Sequence, residues 1–322
     1  MQSLDLSVLH QALQWLPTQP IWLCTVLATY GSSPRPPGAM LVANAQGKFV
    51  GSLSGGCVED DFLQRIVKGD YSAPSQLVRY GGDGLDSYVS LPCGGQLDIL
   101  VEYLPATAEN QVYLNQLAAA LEGHDALEKR VTLSEPATCL PTKRYVSSTH
   151  IQRDNAQISL FIAAAPRLLI AGISSVALFC ADFALSLGFE VLVCENRPDV
   201  LENYRSQLPA GAQLIEQFPA NYIERCGCHA NTAVVALTHD PRMDDLTLME
   251  AVLTPAFYIG AMGSHKNSHH RRLRLVKVAE LSDEDLARIK APIGLPIHSK
   301  TPAEIALAVM ADIVQCKNKP LN

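Results

Sequence analysis

Between Leu168 and Val193 the chain carries only two charged side chains, Asp182 and Glu190, and a stretch of that length and polarity suffices to cross a bilayer. Its internal punctuation argues for a different fold. Gly172 follows an apolar run of strand length, Gly188 interrupts the second half, and residues 189–194 resume as another β-rich run. Strand, turn, helix and strand in that order, with both strands apolar throughout, describe a parallel sheet covered on both faces. The pattern continues, with strand candidates at 167–171, 189–194, 212–215, 232–237 and 256–261 separated by helical segments. This alternation predicts a Rossmann-like, doubly wound parallel sheet over 165–322, with right-handed crossovers. Thr301-Pro-Ala-Glu304 has a capping Thr, a Pro at the first helical position and a Glu that closes a capping box, which opens a last helix reaching about Val314.

The first half reads differently. Leu6, Leu9, Leu13 and Leu16 recur at helical spacing before Pro17, and 21–29 is an apolar, β-branched strand. A stiff loop, Gly31-Ser-Ser-Pro-Arg-Pro-Pro-Gly38, precedes a hairpin of 39–42 and 48–53. Ser54-Gly-Gly-Cys57 leads into a helix over 58–67. Gly81-Gly-Asp-Gly84 precedes a strand, and Leu91-Pro-Cys-Gly-Gly95 precedes another at 96–103. The expectation is an N-terminal α+β domain with glycine-rich loops over 1–164. Within it, 105–164 is a poorly defined extension or linker holding a helix near 112–121 and strand-like pieces at 130–133 and 157–163.

A length of 322 residues suits two domains of ordinary size. With 25 Lys and Arg against 32 Asp and Glu, the net charge is 25 − 32 = −7, and no basic run appears, which argues against a nucleic-acid or acidic-membrane partner. The nine cysteines are odd in number and mostly scattered within apolar runs, a poor disulfide framework. No basic segment opens the chain, so a reduced, cytoplasmic, soluble protein is expected.

Two glycine pairs flank cysteines in mirrored order, as Ser54-Gly55-Gly56-Cys57 and Cys93-Gly94-Gly95. Such pairs bring backbone N–H groups close to a ligand and form an anion-accepting concavity. Cys57 opens a helix, where the dipole favours the thiolate, while Glu59, Asp60 and Asp61 oppose it. Arg35, held between two prolines, offers a preset guanidinium to a phosphate. The plainer alternative is that the glycines make turns and the cysteines fill small buried spaces.

In the second half, Gly172-Ile-Ser174-Ser-Val-Ala177 occupies the place of a dinucleotide fingerprint, with Ser174 where the middle glycine belongs. Glu195 ends the next strand, placed to accept from a ribose 2′-hydroxyl, which favours NAD over NADP. Binding of NAD(P) and an altered, empty scaffold both remain open. Gly263-Ser264 follows the last strand and opens a helix, another anion-binding arrangement. His265 and His269 stand four apart and could share a helix face as metal ligands, but no acidic or thiol ligand is nearby, and Cys226-Gly-Cys228-His229 lacks the usual C-x-x-C spacing and a matching second pair.

Together these motifs resemble a known family. Gly31-Ser-Ser-Pro-Arg-Pro-Pro-Gly-Ala-Met40 followed by Gly51-Ser-Leu-Ser-Gly-Gly-Cys-Val-Glu59 resembles the N-terminal signature of the xanthine dehydrogenase accessory (XdhC/CoxI) family. Leu91-Pro-Cys-Gly-Gly95 with Glu102 is similar to its second loop. Tyr258-Ile-Gly-Ala-Met-Gly-Ser264, Ala291-Pro-Ile-Gly-Leu295 and Thr301-Pro-Ala-Glu-Ile-Ala306 are similar to its Rossmann half.

The resemblance implies a cytoplasmic, non-enzymatic chaperone for the molybdenum cofactor, a molybdopterin. Such a chaperone holds the cofactor while a cysteine desulfurase supplies its terminal sulfur. It then inserts the cofactor into xanthine dehydrogenase or a related molybdenum hydroxylase, and a homodimer is expected. Arg35, Gly38, Ser54, Gly55, Gly56, Cys57, Cys93, Gly94 and Gly95 are the expected cargo contacts, with Cys57 and Cys93 those for molybdenum. Gly172, Ser174, Glu195, Gly263 and Ser264 are the candidates in the second half. The family's glycine turn, Gly-Ala-Gly-His-Val-Ala, here reads Gly-Ile-Ser-Ser-Val-Ala. An NAD(P)-dependent oxidoreductase built on that half is the alternative.

Overall fold

A computed structural model describes residues 4–30, 35–56, 58–81, 95–144, 146, 148–154, 157–238 and 240–318. The chain divides into two compact units, Leu4–Ala164 and Ala165–Asn322.

In the first unit, α1 (Leu4–Trp15) precedes β1 (Ile21–Tyr30), β2 (Met40–Asn44), β3 (Phe49–Gly51), α2 (Glu59–Lys68), β4 (Ser75–Gly81) and β5 (Gln96–Leu104). The strands form an antiparallel sheet in the order β3-β2-β1-β5-β4. Central β1 is apolar along most of its length because both faces are covered. Leu23 and Leu27 join a core with Leu9 of α1, while Trp22 and Val26 join a second core with Phe62 of α2. This is why its sequence reads as a continuous apolar run rather than an alternating one.

Residues 105–164 are not a linker. They form α3 (Ala108–Leu121) and an antiparallel sheet, β7-β6-β9-β8, from β6 (Leu127–Thr132), β7 (Thr138–Pro141), β8 (His150–Arg153) and β9 (Gln157–Ile162). Val131, Ile158 and Leu160 share a core with Leu114 and Leu117 of α3 and with α1. The strands are only four to six residues long, and β7 and β8 bury no residue fully, so they leave little signal in the sequence.

A buried ion pair crosses this core. Lys129 of β6 is fully buried and donates to Glu102 of β5, itself 1% exposed, and Tyr113 of α3 donates its hydroxyl to the same carboxylate at 2.7 Å. Three successive elements, β5, α3 and β6, thereby meet at one charge.

The second unit alternates strictly: β10 (Arg167–Ala171), α4 (Ser175–Ser186), β11 (Glu190–Cys194), α5 (Pro198–Tyr204), β12 (Gln213–Ile215), α6 (Pro219–Cys226) and β13 (Thr232–Ala236). There follow α7 (Pro241–Val252), β14 (Tyr258–Ala261), α8 (His265–Ala279), α9 (Asp283–Arg288), β15 (Ile289–Lys290) and α10 (Pro302–Lys317). All strand pairs are parallel, in the order β12-β11-β10-β13-β14-β15. The order reverses between β10 and β13, the switch point of a doubly wound Rossmann sheet. Leu168 and Ile170 pack beneath α4 and α10, and Leu169 and Ala171 pack on the α6–α7 side. The long apolar stretch is therefore β10, α4 and β11, and among the described residues no helix is long and apolar enough to cross a membrane. The cap at Thr301 forms as its sequence requires, with Thr301 and Glu304 bonding reciprocally.

Removing one partner of the core ion pair strands the other in an apolar setting. Lys129→Met is expected to lower stability by about 3–5 kcal/mol in urea unfolding, and Lys129→Met/Glu102→Met to recover part of that loss.

Candidate functional site

The register of the first sheet fixes where the strands that flank the three motif segments begin and end. Tyr30 at the end of β1 pairs with Gln96 at the start of β5, and Gln96 pairs with Gly81 at the end of β4. Thr25 pairs with Met40 at the start of β2, and Leu41 with Gly51 at the end of β3. Strands β1, β3 and β4 therefore end, and β2 and β5 begin, towards the same end of the sheet. Cys57, Cys93 and Gly94 lie outside the described residues, as does the loop 81–84 beyond Gly81. Gly95 is buried just before β5.

The loop before α2 folds around a carboxylate of its own chain. Glu59 is 5% exposed, and its Oε1 accepts from the Ser52 hydroxyl at 2.9 Å and from the amides of Leu53 at 2.9 Å and Ser54 at 3.1 Å. Its Oε2 accepts from the Ser54 hydroxyl at 2.8 Å and from the amides of Gly56 at 3.1 Å and Val58 at 3.2 Å. The Gly55 amide turns instead to the Ser52 hydroxyl at 3.0 Å. Gly55 and Gly56 adopt φ of 83° and 122°, conformations that glycine reaches without strain, and both are exposed. The anion-accepting concavity expected from this glycine pair therefore exists, but Glu59 fills it. Burial alone would push the Glu59 carboxyl up; the donors outweigh that and hold it down to about 2.

Arg35 is likewise held rather than extended. Its Nη2 donates to Asp5 at 3.0 Å and its Nε to the Ser52 carbonyl at 3.2 Å, and Asp5 also accepts from the Met40 amide at 2.8 Å. Burial raises the Asp5 carboxyl, and the Met40 amide and Arg35 partly offset it. Arg35 therefore ties the first motif loop to the second. Gly38 has φ of 94°, and a Cβ there would lie 2.6 Å from Cβ of Thr149, so close packing requires its glycine. Near the same edge, Asp98 of β5 accepts a two-pronged contact from Arg79 at 2.7 and 3.1 Å and a third from Arg153 at 2.8 Å. Burial opposes these contacts, yet they keep the Asp98 carboxyl low. Two half-exposed guanidiniums thus share one buried charge. Sequence reading missed them, because Arg79 and Arg153 sit on strands far apart in the chain, outside any motif.

The turn after β10 has also been claimed internally. Ser174 caps α4, accepting from the Ala177 amide at 3.2 Å. Glu195 is fully buried; its Oε1 accepts from the Asn196 and Arg197 amides and from Arg197 Nε, each at 2.9 Å. Its Oε2 accepts from the Ile173 amide at 2.9 Å and from Arg197 Nη2 at 2.7 Å. Burial pushes this carboxyl up, and Arg197 and the amides more than reverse the push. The acid expected to receive a ribose hydroxyl is thus saturated by its own neighbourhood. Gly172 has φ of 81°, and a Cβ there would meet Thr238 Cγ2 at 2.0 Å, so packing against β13 by itself demands this glycine. Gly263 and Ser264 stand apart from this turn: Ser264 caps α8 by accepting from the Asn267 amide, and both residues line a cavity beyond β14. Among the described residues, no group of three or more His, Cys, Asp or Glu is gathered to hold a metal.

Two outcomes follow from these turns. Glu59→Gln puts an amide donor against backbone donors and is expected to cost about 2–3 kcal/mol at pH 7 in urea unfolding. Because the folded carboxyl lies near 2 and an unfolded one near 4.5, the wild-type chain keeps this contribution above pH 4.5. It loses about 3 kcal/mol as pH falls toward 2, a loss the Gln variant lacks. Gly56→Ala meets nothing within 4 Å and bears only the cost of its φ, about 1–2 kcal/mol. Gly172→Ala adds a clash with Thr238 and is expected to lower the melting temperature further than Gly56→Ala does.

Comparison with known proteins agrees with this architecture. A profile for the XdhC Rossmann domain matches residues 168–313, and one for the XdhC and CoxI family matches residues 15–81. The chain is 26% identical over 319 residues to a Bacillus subtilis protein named as a probable xanthine dehydrogenase subunit, covering 92% of this chain and 93% of that one. It is 26% identical over 302 residues to the Escherichia coli molybdenum cofactor insertion chaperone PaoD, covering 92% and 83%. A solved structure described as a xanthine dehydrogenase from Bacillus halodurans has the same fold, with a TM-score of 0.68 at 23% identity over 98% of this chain and 96% of that one. With family matches on both halves and relatives aligned over nearly its whole length, the chain belongs to the XdhC and CoxI family.

Proposed function

We propose that this chain is an accessory factor, not an enzyme, that holds the molybdenum cofactor and inserts it into a xanthine dehydrogenase or related molybdenum hydroxylase. The observation that carries this reading is that β1, β3 and β4 end, and β2 and β5 begin, towards one end of the sheet, where Arg35 donates to the Ser52 carbonyl and Glu59 accepts from the Leu53 amide. The cargo is an anionic, phosphate-bearing pterin with sulfur and molybdenum. The half-exposed guanidiniums of Arg79 and Arg153 suit its phosphate, and the thiols of Cys57 and Cys93 suit its soft metal. A loop already braced by Glu59 loses little freedom when cargo arrives, which favours capture, while release requires that no dense thiolate cage form. On this reading a cysteine desulfurase supplies the terminal sulfur while the chain holds the cargo, and the chain works as a homodimer.

The relatives support the coarse assignment, since PaoD carries the insertion-chaperone name over 92% of this chain. A nicotinamide-dependent oxidoreductase on the second unit finds less support, because Ser174, Glu195 and Gly172 are all committed to internal partners. Isothermal titration with NAD(H) and NADP(H) separates the two, and firm binding of either would revive the oxidoreductase.

The direct test is anaerobic incubation with the cofactor, removal of free ligand, and assay of molybdenum and oxidised pterin. Both are expected to stay with the protein, and absence of pterin sinks the proposal. Cys57→Ser is expected to reduce retention or transfer several-fold, whereas Cys139→Ser leaves it unchanged. Equal behaviour of the two variants would assign Cys57 to packing.

A further inference from the structure

A cavity of about 730 Å³ opens at the carboxyl ends of β13 and β14, well within the roughly 300–1,000 Å³ range of small-molecule sites. None of the internal bonds that saturate the Gly172 turn reaches it; Thr238 packs against that turn on one side and lines the cavity on the other.

Its walls differ in character. One is apolar, from Met262, Pro292, Ile293 and Ile305. The rest of the lining includes a stripe along α8 of Asn267, His270, Arg271 and Arg274, which share a face at intervals of three and four. Beneath them lies a buried polar chain. Thr238 donates its hydroxyl to Asp244 at 2.6 Å, and Asp244, 1% exposed, accepts from Arg271 Nη2 at 2.8 Å. Arg271 also donates Nε to Asp245 at 3.0 Å and Nη1 to the Met262 carbonyl at 3.0 Å, so all three of its nitrogens are committed. Arg274 is not spent in this way. Its Nε is anchored on Asp245 at 2.7 Å, and its terminal nitrogens have no partner among the described residues. Asp245 thus clamps both guanidiniums and leaves one fork at the cavity.

We propose that this cavity binds a nucleoside monophosphate, with the base against the apolar wall and the phosphate on the Arg274 fork. Two carboxylates already balance two arginines here, so the site suits a single phosphate rather than a polyphosphate chain. A metal is excluded by the same pairs, since both carboxylates are bound to arginine. The Ser264 and Ser299 hydroxyls and the Asn267 amide line the cavity and suit ribose hydroxyls and base edges. This site is independent of the cargo reading: pterin retention without nucleotide binding overturns the cavity assignment alone, and the reverse overturns the cargo alone.

The test is titration calorimetry of the full chain with AMP, CMP, adenosine and inorganic phosphate. At least one of AMP and CMP is expected to bind saturably, with adenosine and phosphate about tenfold weaker or more. Arg274→Gln is expected to weaken the nucleotide about tenfold, and Asn267→Asp, which adds a negative charge at the cavity lip, to weaken it as well. The charge-matched control Arg205→Gln, on an exposed pair with Glu216, is expected to bind as wild type does. No saturable heat with either nucleotide at millimolar concentration overturns the proposal. So does binding that Arg274→Gln and Asn267→Asp leave untouched in a chain that still melts at the wild-type temperature.

Discussion

A carboxylate removed from water must collect donors, and this demand shapes both glycine turns of the molecule. Glu59 draws four amides and two hydroxyls around itself, and the loop before α2 has the form those bonds require. Glu195 does the same for the turns after β10 and β11, pulling the Ile173 amide from one and Arg197 from the other. Glu102 binds α3 and β6 to β5 through Tyr113 and Lys129. In each case the acid is part of the scaffold, and both of its oxygens are bonded to groups of the chain itself.

This division of labour separates what braces a site from what faces it. A nest already filled by Glu59 cannot also receive a phosphate, so the glycines at its tip serve by their φ and their exposure. Partly exposed arginines are anchored on carboxylates instead: Arg79 through two nitrogens and Arg153 through one on Asp98 in the first unit, and Arg274 through Nε on Asp245 in the second. A guanidinium so anchored keeps its orientation, because its planar fork is held by the carboxylate.

The strict alternation of apolar strands and helices made the second unit legible, because a parallel sheet buried on both faces writes each strand as an unbroken apolar run. The cap at Thr301 was legible for a local reason, since all its partners lie within one turn. Two things escaped. The sheet of β6–β9 is built of two short, half-exposed hairpins joined through the longer-range pairing of β6 with β9, and the role of Glu59 depends on a loop closing over it. Before closure, Glu59 reads only as one of three acids opposing a thiolate at Cys57. Its position at the start of α2, with Ser52 and Ser54 just upstream, was the available signal. The Ser174 departure was visible, yet its meaning required the geometry: the side chain caps α4 where a pyrophosphate would otherwise lie.

The thiols can now be sorted by physical state. Burial pushes Cys139, Cys180 and Cys194 up to about 12 and Cys228 to about 11, and drives Cys24 well above its usual range. At neutral pH a thiol near 12 is ionised in roughly one molecule in 10⁵, and Cys24, Cys180, Cys194 and Cys228 are buried while Cys139 packs against the core of the first unit. These five therefore pack. Cys226 is exposed at the end of α6, and Cys316 lies 3.2 Å from Lys290 Nζ, which also donates to Asp312. Neither belongs to the first sheet. On the cargo reading proposed above, thiol chemistry is left to Cys57 and Cys93, which lie outside the described residues.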